Sequence, residues 1–363
     1  MKDEPEAAGV VDMMSGLDLE TTPRLGFELP EPKFHPPRAR TGIVVRTALV
    51  ERLAATTAPV ITVAAPPGYG KTTLMAQWAE RTGSRVAWLS CDAGDNDPVV
   101  LLSALAVALD RIAPVDPAIF RALASSGADI TMVPEFVTAV ASLRPPVTVL
   151  LDHVEAITNR QCLNTIAEFA LRLPPGWQFG LASRSAVPLP TARLRVQGDL
   201  FEVTADDLAM GPAEARSLLT GSGVEVDEKD LRDLVQRTEG WPAGLYIAAL
   251  AMKAGTRHGD VGFTFTGDDV FMSGYLRSEL LDRISDAESS FLIRTSVLNR
   301  MCGSLCDAIL GQPGEAERWD SSSPSRVTRS RTSSGPIRFI GGASITTFST
   351  PSSPGATRSA RYT

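Results

Sequence analysis

"APVITVAAPPGYGKTTLMAQW", residues Ala58–Trp78, decides the fold. It opens on a short β-branched run of the kind a fully buried parallel strand shows, and it closes on Leu74, Trp78 and Arg81 at helical spacing before Gly83. Between them lies a loop of glycine and proline. A backbone that bends around a β-phosphate needs glycine where φ is positive or where a side chain would strike the phosphate, and Gly68 and Gly70 stand there. Lys71 then reaches the β and γ phosphates, the Thr72 hydroxyl holds magnesium, and the helix N-terminus adds its dipole. The loop from Pro67 through Thr72, Tyr69 included, is the expected nucleotide cradle. Its first position is Ala65 where the usual pattern has glycine, but that position lies just off the strand, away from the phosphate.

Composition bounds the rest. The 363 residues are 44% hydrophobic and 21% charged, enough for two or three domains with sizeable cores. A net charge of -7 gives no overall attraction to nucleic acid or to an anionic membrane. Cys91, Cys162, Cys302 and Cys306 lack paired metal-ligand spacing, so buried thiols are expected rather than a zinc site. The N-terminus "MKDEPEAAGV" is acidic where a signal peptide is basic, and the longest apolar run, Val99–Leu109, is too short to span a bilayer. A cytoplasmic location without membrane association is the expectation.

Working outward, residues 1–36 carry acids, prolines and little periodicity, and read as a disordered lead. Four further apolar runs follow the first: "RVAWLS", "VTVLLD", "WQFGLAS" and "LFEVT". Helical patterns stand between them, one after Asp97 with Pro98 in its first turn and another across Thr165–Leu173. Five strands alternating with helices predict an α/β domain over 37–205, a parallel sheet covered on both faces. The strand signal then stops. "GPAEARSLLTGSG", "DEKDLRDLVQRTEG" and "WPAGLYIAALAMKAG" predict a helical domain over 206–262, and two amphipathic helices, around Tyr275–Leu281 and Phe291–Ile293, open a third domain over 263–312. From 313 to 363 the chain reads as low-complexity. Ser321–Thr363 has no Leu, Asp, Glu or Lys and is crowded with Ser, Thr, Pro, Gly and Arg, a composition that fits an out-of-frame continuation of a GC-rich gene.

A magnesium nucleotide needs an acid at a neighbouring strand end, and Asp152, closing "VTVLLD", fits, with capping of the following helix as the alternative. The residue usually expected to orient water is here His153, with Glu155 two further on. Three roles are open to His153: orienting water, touching phosphate, or pointing into solvent. Arg184 directly follows "WQFGLAS" at the same sheet edge, either as a sensor of the γ-phosphate or as a solvated loop arginine.

Together these motifs resemble a known family. "PPRARTGIVVRTALVERL", "APPGYGKTTLMAQW", "VAWLSCDAGDNDPVVLLSAL", "TVLLDHVEAIT", "LASRSAVPLPTARLRVQGDLFEVTADDLAM", "TEGWPAGL" and "FLIRTSVLNRMCGSLCDAILG" occur in the order seen in MalT-like regulators, signal-transduction ATPases of the STAND class, over roughly 32–312. The resemblance implies a P-loop NTPase sheet, a helical domain and a partial winged-helix domain. It implies that Val45 and Arg46, in "VVR", lie by adenine and ribose and that Lys71, Thr72 and Thr73 contact phosphate and magnesium. Arg184 then stands as the sensor arginine, and Pro242 as the helical-domain proline that packs on adenine. The implied cofactors are ATP or ADP with magnesium. In such proteins ADP holds a closed form, while ATP and an inducer favour an open, self-associating one. Asp152 followed by His153, where the family shows two acids, implies slow hydrolysis with Lys71, Asp152 and Arg184 at its centre. The expected function is a nucleotide-dependent switch, truncated before the inducer-binding and helix-turn-helix DNA-binding domains of full-length relatives. The competing expectation is a slow ATPase acting as an oligomerisation protein.

Overall fold

The apolar runs become five strands: β1 (Val60–Ala64), β2 (Arg85–Ser90), β3 (Val147–Asp152), β4 (Gln178–Ser183) and β5 (Leu200–Val203). The computed structural model describes residues 29–38, 42–125, 133–141, 143, 147–256, 274, 286–295, 300–301, 303–311, 337–341 and 344–348. All four strand pairings are parallel, in the order β2-β3-β4-β1-β5. Every residue of β3 is buried, which accounts for its unbroken apolar run, whereas the edge strands β2 and β5 are wetter.

Helices α1 (Thr47–Ala55), α2 (Lys71–Arg81), α3 (Pro98–Asp110), α4 (Pro117–Ser125), α5 (Val133–Val140), α6 (Arg160–Leu171) and α7 (Thr191–Gln197) clothe the sheet. On one face, Val149, Leu151, Phe179 and Leu181 pack with α3 to α7. On the other, Ile61, Val63, Leu150 and Ala182 pack with α1, α2 and Leu208 of the short helix α8 (Ala205–Leu208). Side chains of adjacent strand residues go to opposite faces, so each strand feeds both cores. Asp97 caps α3 with its carboxylate on Val99 and Val100 N–H, and Pro98 takes the first turn.

From Leu29 onward the segment expected to be a lead is part of the fold. Glu31–Phe34 forms a 3-10 turn against edge strand β2 with Lys33 and Phe34 buried. Lys33 Nζ lies 2.6 Å from Asp92 Oδ2 and 2.7 Å from Asp95 Oδ2, and Arg111 sits 5.0 Å over the Phe34 ring. Burial raises the Asp95 carboxyl above its ordinary range, and Lys33 pulls it back. Lys33→Met is therefore expected to destabilise the fold by about 3 kcal/mol at neutral pH, since Asp95 is left charged and unpaired. A carboxyl whose folded pKa is raised favours the folded state below that pKa and opposes it above. The deficit of the variant should accordingly shrink on acidification, as read by urea unfolding at pH 5 and pH 8.

Beyond the sheet, α9 (Pro212–Gly221), α10 (Glu228–Thr238) and α11 (Pro242–Thr256) form a helical unit around Leu219, Leu231, Leu245 and Ala248. Val44, from the segment before α1, packs into this unit, so the chain touches it well before reaching it. The helix expected around Tyr275–Leu281 lies outside the described residues. Phe291 is buried in α12 (Asp286–Thr295), and β6 (Arg300–Met301) and α13 (Gly303–Leu310) follow. The stretch read as low-complexity contains β7 (Ile337–Gly341) and β8 (Ser344–Phe348), an antiparallel pair whose second strand runs parallel to β6. Among the described residues no helix is long and apolar enough to cross a membrane.

Candidate functional site

The loop leaving β1 is anchored at its root and bent by two glycines. Ala65 N–H donates to Ser183 O at 3.2 Å, and the Ala65 methyl is buried in the α2-side core, so alanine here is a packing residue rather than a tolerated departure. Gly68 and Gly70 have φ of 78° and 80°, as the phosphate-cradling reading requires. A Cβ on Gly70 would meet nothing within 4 Å, so glycine there answers to backbone conformation and not to crowding by the protein. Lys71 begins α2 and folds back, its Nζ donating to Ala65 O at 2.8 Å and Pro66 O at 3.1 Å. The ammonium is thereby held across the mouth of its own loop.

Asp152 ends β3, two strands from β1, with a side chain 1% exposed. Its Oδ1 accepts from His153 N–H at 3.0 Å. Its Oδ2 lies 3.2 Å from His153 Nδ1 but has no hydrogen bond among the described residues. Burial raises the Asp152 carboxyl above its ordinary range, the His153 ring and the Thr72 hydroxyl pull it down, and Glu155 pushes it up. A buried carboxylate with an unbonded oxygen beside a threonine hydroxyl at the head of α2 is a donor set that fits a hard divalent cation such as magnesium. His153 is half exposed, in the left-handed region at φ 58°, with its ring leaning back on Asp152.

Glu155 is the acid that engages the candidate sensor. Its Oε1 accepts from Arg184 Nε at 2.9 Å and its Oε2 from Arg184 N–H at 3.1 Å. Asn96, just past β2, holds the loop carrying Glu155. Its Oδ1 accepts from Thr158 N–H at 2.6 Å and Asn159 N–H at 2.8 Å, and its Nδ2 donates to Ala156 O at 2.8 Å. Sequence reasoning gave Asn96 no role, although asparagine in "GDNDP" is the kind of short amide side chain that ties loops.

The helical unit comes directly onto the phosphate loop. Trp241 Nε1 donates to Pro67 O at 3.0 Å, and Ala243 N–H donates to Gly68 O at 3.1 Å. Tyr69 packs against the Trp241–Ile247 pair, and burial, helped by Glu239 and Asp206, pushes its phenol up to about 12. Pro242, expected at adenine, is buried as the first residue of α11 between these two contacts. Val45 is 57% exposed and so open to a ligand. Arg46 is placed differently from the expectation of an adenine neighbour. Its guanidinium is buried at the end of α8, bonded to Leu208 O at 2.6 Å and Asp207 O at 3.1 Å, and paired with Glu214 at 2.9 Å. Buried carbonyls and a carboxylate satisfy its charge. Its main-chain N–H, bonded to Gln77 Oε1 at 2.9 Å, ties the same segment to α2. Thr73 lies half-buried in the first turn of α2, one residue past the Thr72 hydroxyl.

Residues 277–325 match the MalT winged helix domain, past the boundary expected at residue 312. The serine/threonine-protein kinase PknK of Mycobacterium tuberculosis is 29% identical over 293 residues, covering 78% of this chain and 26% of the kinase. The HTH-type transcriptional regulator MalT of Serratia proteamaculans is 30% identical over 282 residues, covering 76% of this chain and 31% of the regulator. The matched region thus spans less than a third of either relative. The Walker-type ATPase PABY2304 of Pyrococcus abyssi is a structural neighbour at TM-score 0.45 and 13% identity, covering 74% of this chain and 84% of that one. With the phosphate loop, the parallel sheet behind it and the winged-helix match after it, the chain is MalT-like, with a P-loop NTPase-like fold.

Proposed function

We propose that the chain is an ATP- and ADP-responsive switch module of a MalT-like transcriptional regulator, in which nucleotide at the phosphate loop sets the position of the helical unit. The observation that carries this reading is the pair of hydrogen bonds from Trp241 and Ala243 to the carbonyls of Pro67 and Gly68. A loop whose carbonyls hold a neighbouring unit cannot rearrange around phosphate without that unit registering it. The relatives agree with a module rather than an output domain, because a kinase and a transcriptional regulator share the same stretch.

In this reading the loop N–H groups and the head of α2 bind the β-phosphate, and Lys71 leaves the carbonyls of Ala65 and Pro66 to neutralise the β and γ oxygens. Thr72 and Asp152 hold magnesium, which when bound neutralises charge on the phosphate oxygens. Arg184, directly after the strand next to β1, senses the γ-phosphate. His153 holds a proton donor or acceptor against Asp152 where a second acid would orient water, which makes hydrolysis slow. Val45 and Pro242 frame the base, and self-association of the ATP form transmits the state. Inducer and DNA recognition are proposed for full-length relatives.

Titration of the purified chain with fluorescent ATP and ADP tests the reading. We expect tight, magnesium-dependent binding with turnover far below the ~10 s⁻¹ of an ordinary enzyme. Absence of binding, or many turnovers per second without inducer, would overturn it. Trp241→Phe removes the indole N–H that donates to Pro67 O, so it should change the affinity ratio of ATP to ADP about threefold, with the melting temperature recorded alongside to register the lost packing.

A further inference from the structure

Arg184 is held by an acid in an unusual way. A carboxylate that neutralises a guanidinium pairs fork to fork with two of its N–H groups. Glu155 instead gives Oε1 to Nε and Oε2 to the main-chain N–H of the same residue, at 2.9 and 3.1 Å. That grip fixes the stem of the side chain and the plane of the guanidinium against the end of β4. Both partners are about one-fifth exposed, so the contact is shielded from bulk water. The carboxylate is itself immobilised. Its 3-10 turn, Val154–Ala156, lies between β3 and the Asn96 staple, which binds Ala156 O, Thr158 N–H and Asn159 N–H, while Asn159 Nδ2 returns to Asn96 O at 2.8 Å. A chain of short contacts therefore runs from the end of β2 through the loop after β3 to the end of β4, where the γ-phosphate would lie.

We infer that Glu155 is a positioning residue: it orients Arg184 toward the γ-phosphate, so the site's preference for ATP over ADP passes through this carboxylate. The inference rests on the ATP-switch reading above and adds to it the residue that sets discrimination. Glutamine is the informative replacement, because an amide accepts at one oxygen only and turns its NH₂ toward a second donor.

The test measures ATP and ADP affinities of the full chain and of E155Q, R184A and the double variant. E155Q is expected to weaken ATP about tenfold and ADP less than twofold, R184A to do the same, and the double variant to match R184A alone. If R184A shifts the ATP-to-ADP ratio and E155Q does not, the inference falls and the switch reading stands. If R184A itself leaves the ratio unchanged, the sensor assignment falls and this inference with it. Tighter ATP binding by E155Q would mean that Glu155 withholds the arginine rather than aiming it, which also overturns the inference. Should E155Q weaken ADP as well, the cycle decides: losses that add to those of R184A overturn the inference, and losses that do not add support it.

Discussion

Lys71→Ala is expected to lower ATP affinity by about a hundredfold or more, the largest effect of any single change at this site. A charge-assisted hydrogen bond is worth about 1.5–3 kcal/mol, and Lys71 is placed to make such bonds to two phosphates in a half-buried loop. The protein without nucleotide should hardly notice. There Lys71 Nζ bonds to the carbonyls of Ala65 and Pro66, and water can take over both once the side chain is gone. Unfolding by urea should therefore shift by under about 1 kcal/mol while calorimetric titration loses its ATP signal. Lys71→Arg should not rescue binding, because a planar fork cannot replace a compact ammonium across so tight a turn. Unchanged affinity in Lys71→Ala would remove the phosphate loop from the proposed function.

Local chemistry was legible in the sequence wherever one segment carried it. Gly68, Gly70, Lys71 and Thr72 lie within five residues, and the roles proposed for them follow from spacing alone. The five strands were legible because burial on both faces leaves continuous apolar runs. Helix α6 starts earlier than the periodic pattern around Thr165 suggests, because Asn159 caps it by accepting from Gln161 N–H. Helices α4 (Pro117–Ser125) and α5 (Val133–Val140) lie between Arg111 and Leu143, where prolines and short apolar groups gave no sustained period. The joints were not legible. Trp241 reaches Pro67 across 174 positions, and Arg46 reaches Leu208 across 162, and no local pattern encodes either partner. Arg46 illustrates the consequence, since the family resemblance implied a place by adenine, yet a helix end binds its terminal nitrogens and Glu214 balances its charge. Lys33 gives the same lesson at the other edge of the sheet, where its partners lie some sixty residues further on, at Asp92 and Asp95.

Gly240→Ala separates the joint from the loop. At φ +73° any side chain is strained, and a Cβ at this position would lie 2.6 Å from Met210 O and 2.9 Å from Met210 N. Both are backbone atoms, and Met210 N–H already donates to Gly240 O at 2.8 Å, so neither chain can yield without breaking that bond. The expected loss is at least about 3 kcal/mol, from backbone strain together with overpacking. The turn it distorts is the one that delivers Trp241 and Ala243 to the phosphate loop. Gly70→Ala makes the contrast: its φ is as positive, but its surroundings are open, so the penalty should be about 1–2 kcal/mol. If the helical unit reports on nucleotide, Gly240→Ala should keep Lys71, Thr72 and Asp152 in place and still bind ATP and ADP, but with a changed ratio of the two affinities. Its melting curve should gain an early step for the helical unit while the sheet domain unfolds near its usual temperature. A variant that melts in one step and leaves the ATP-to-ADP ratio unchanged would show that the contact at Pro67 and Gly68 is architecture and not the coupling itself.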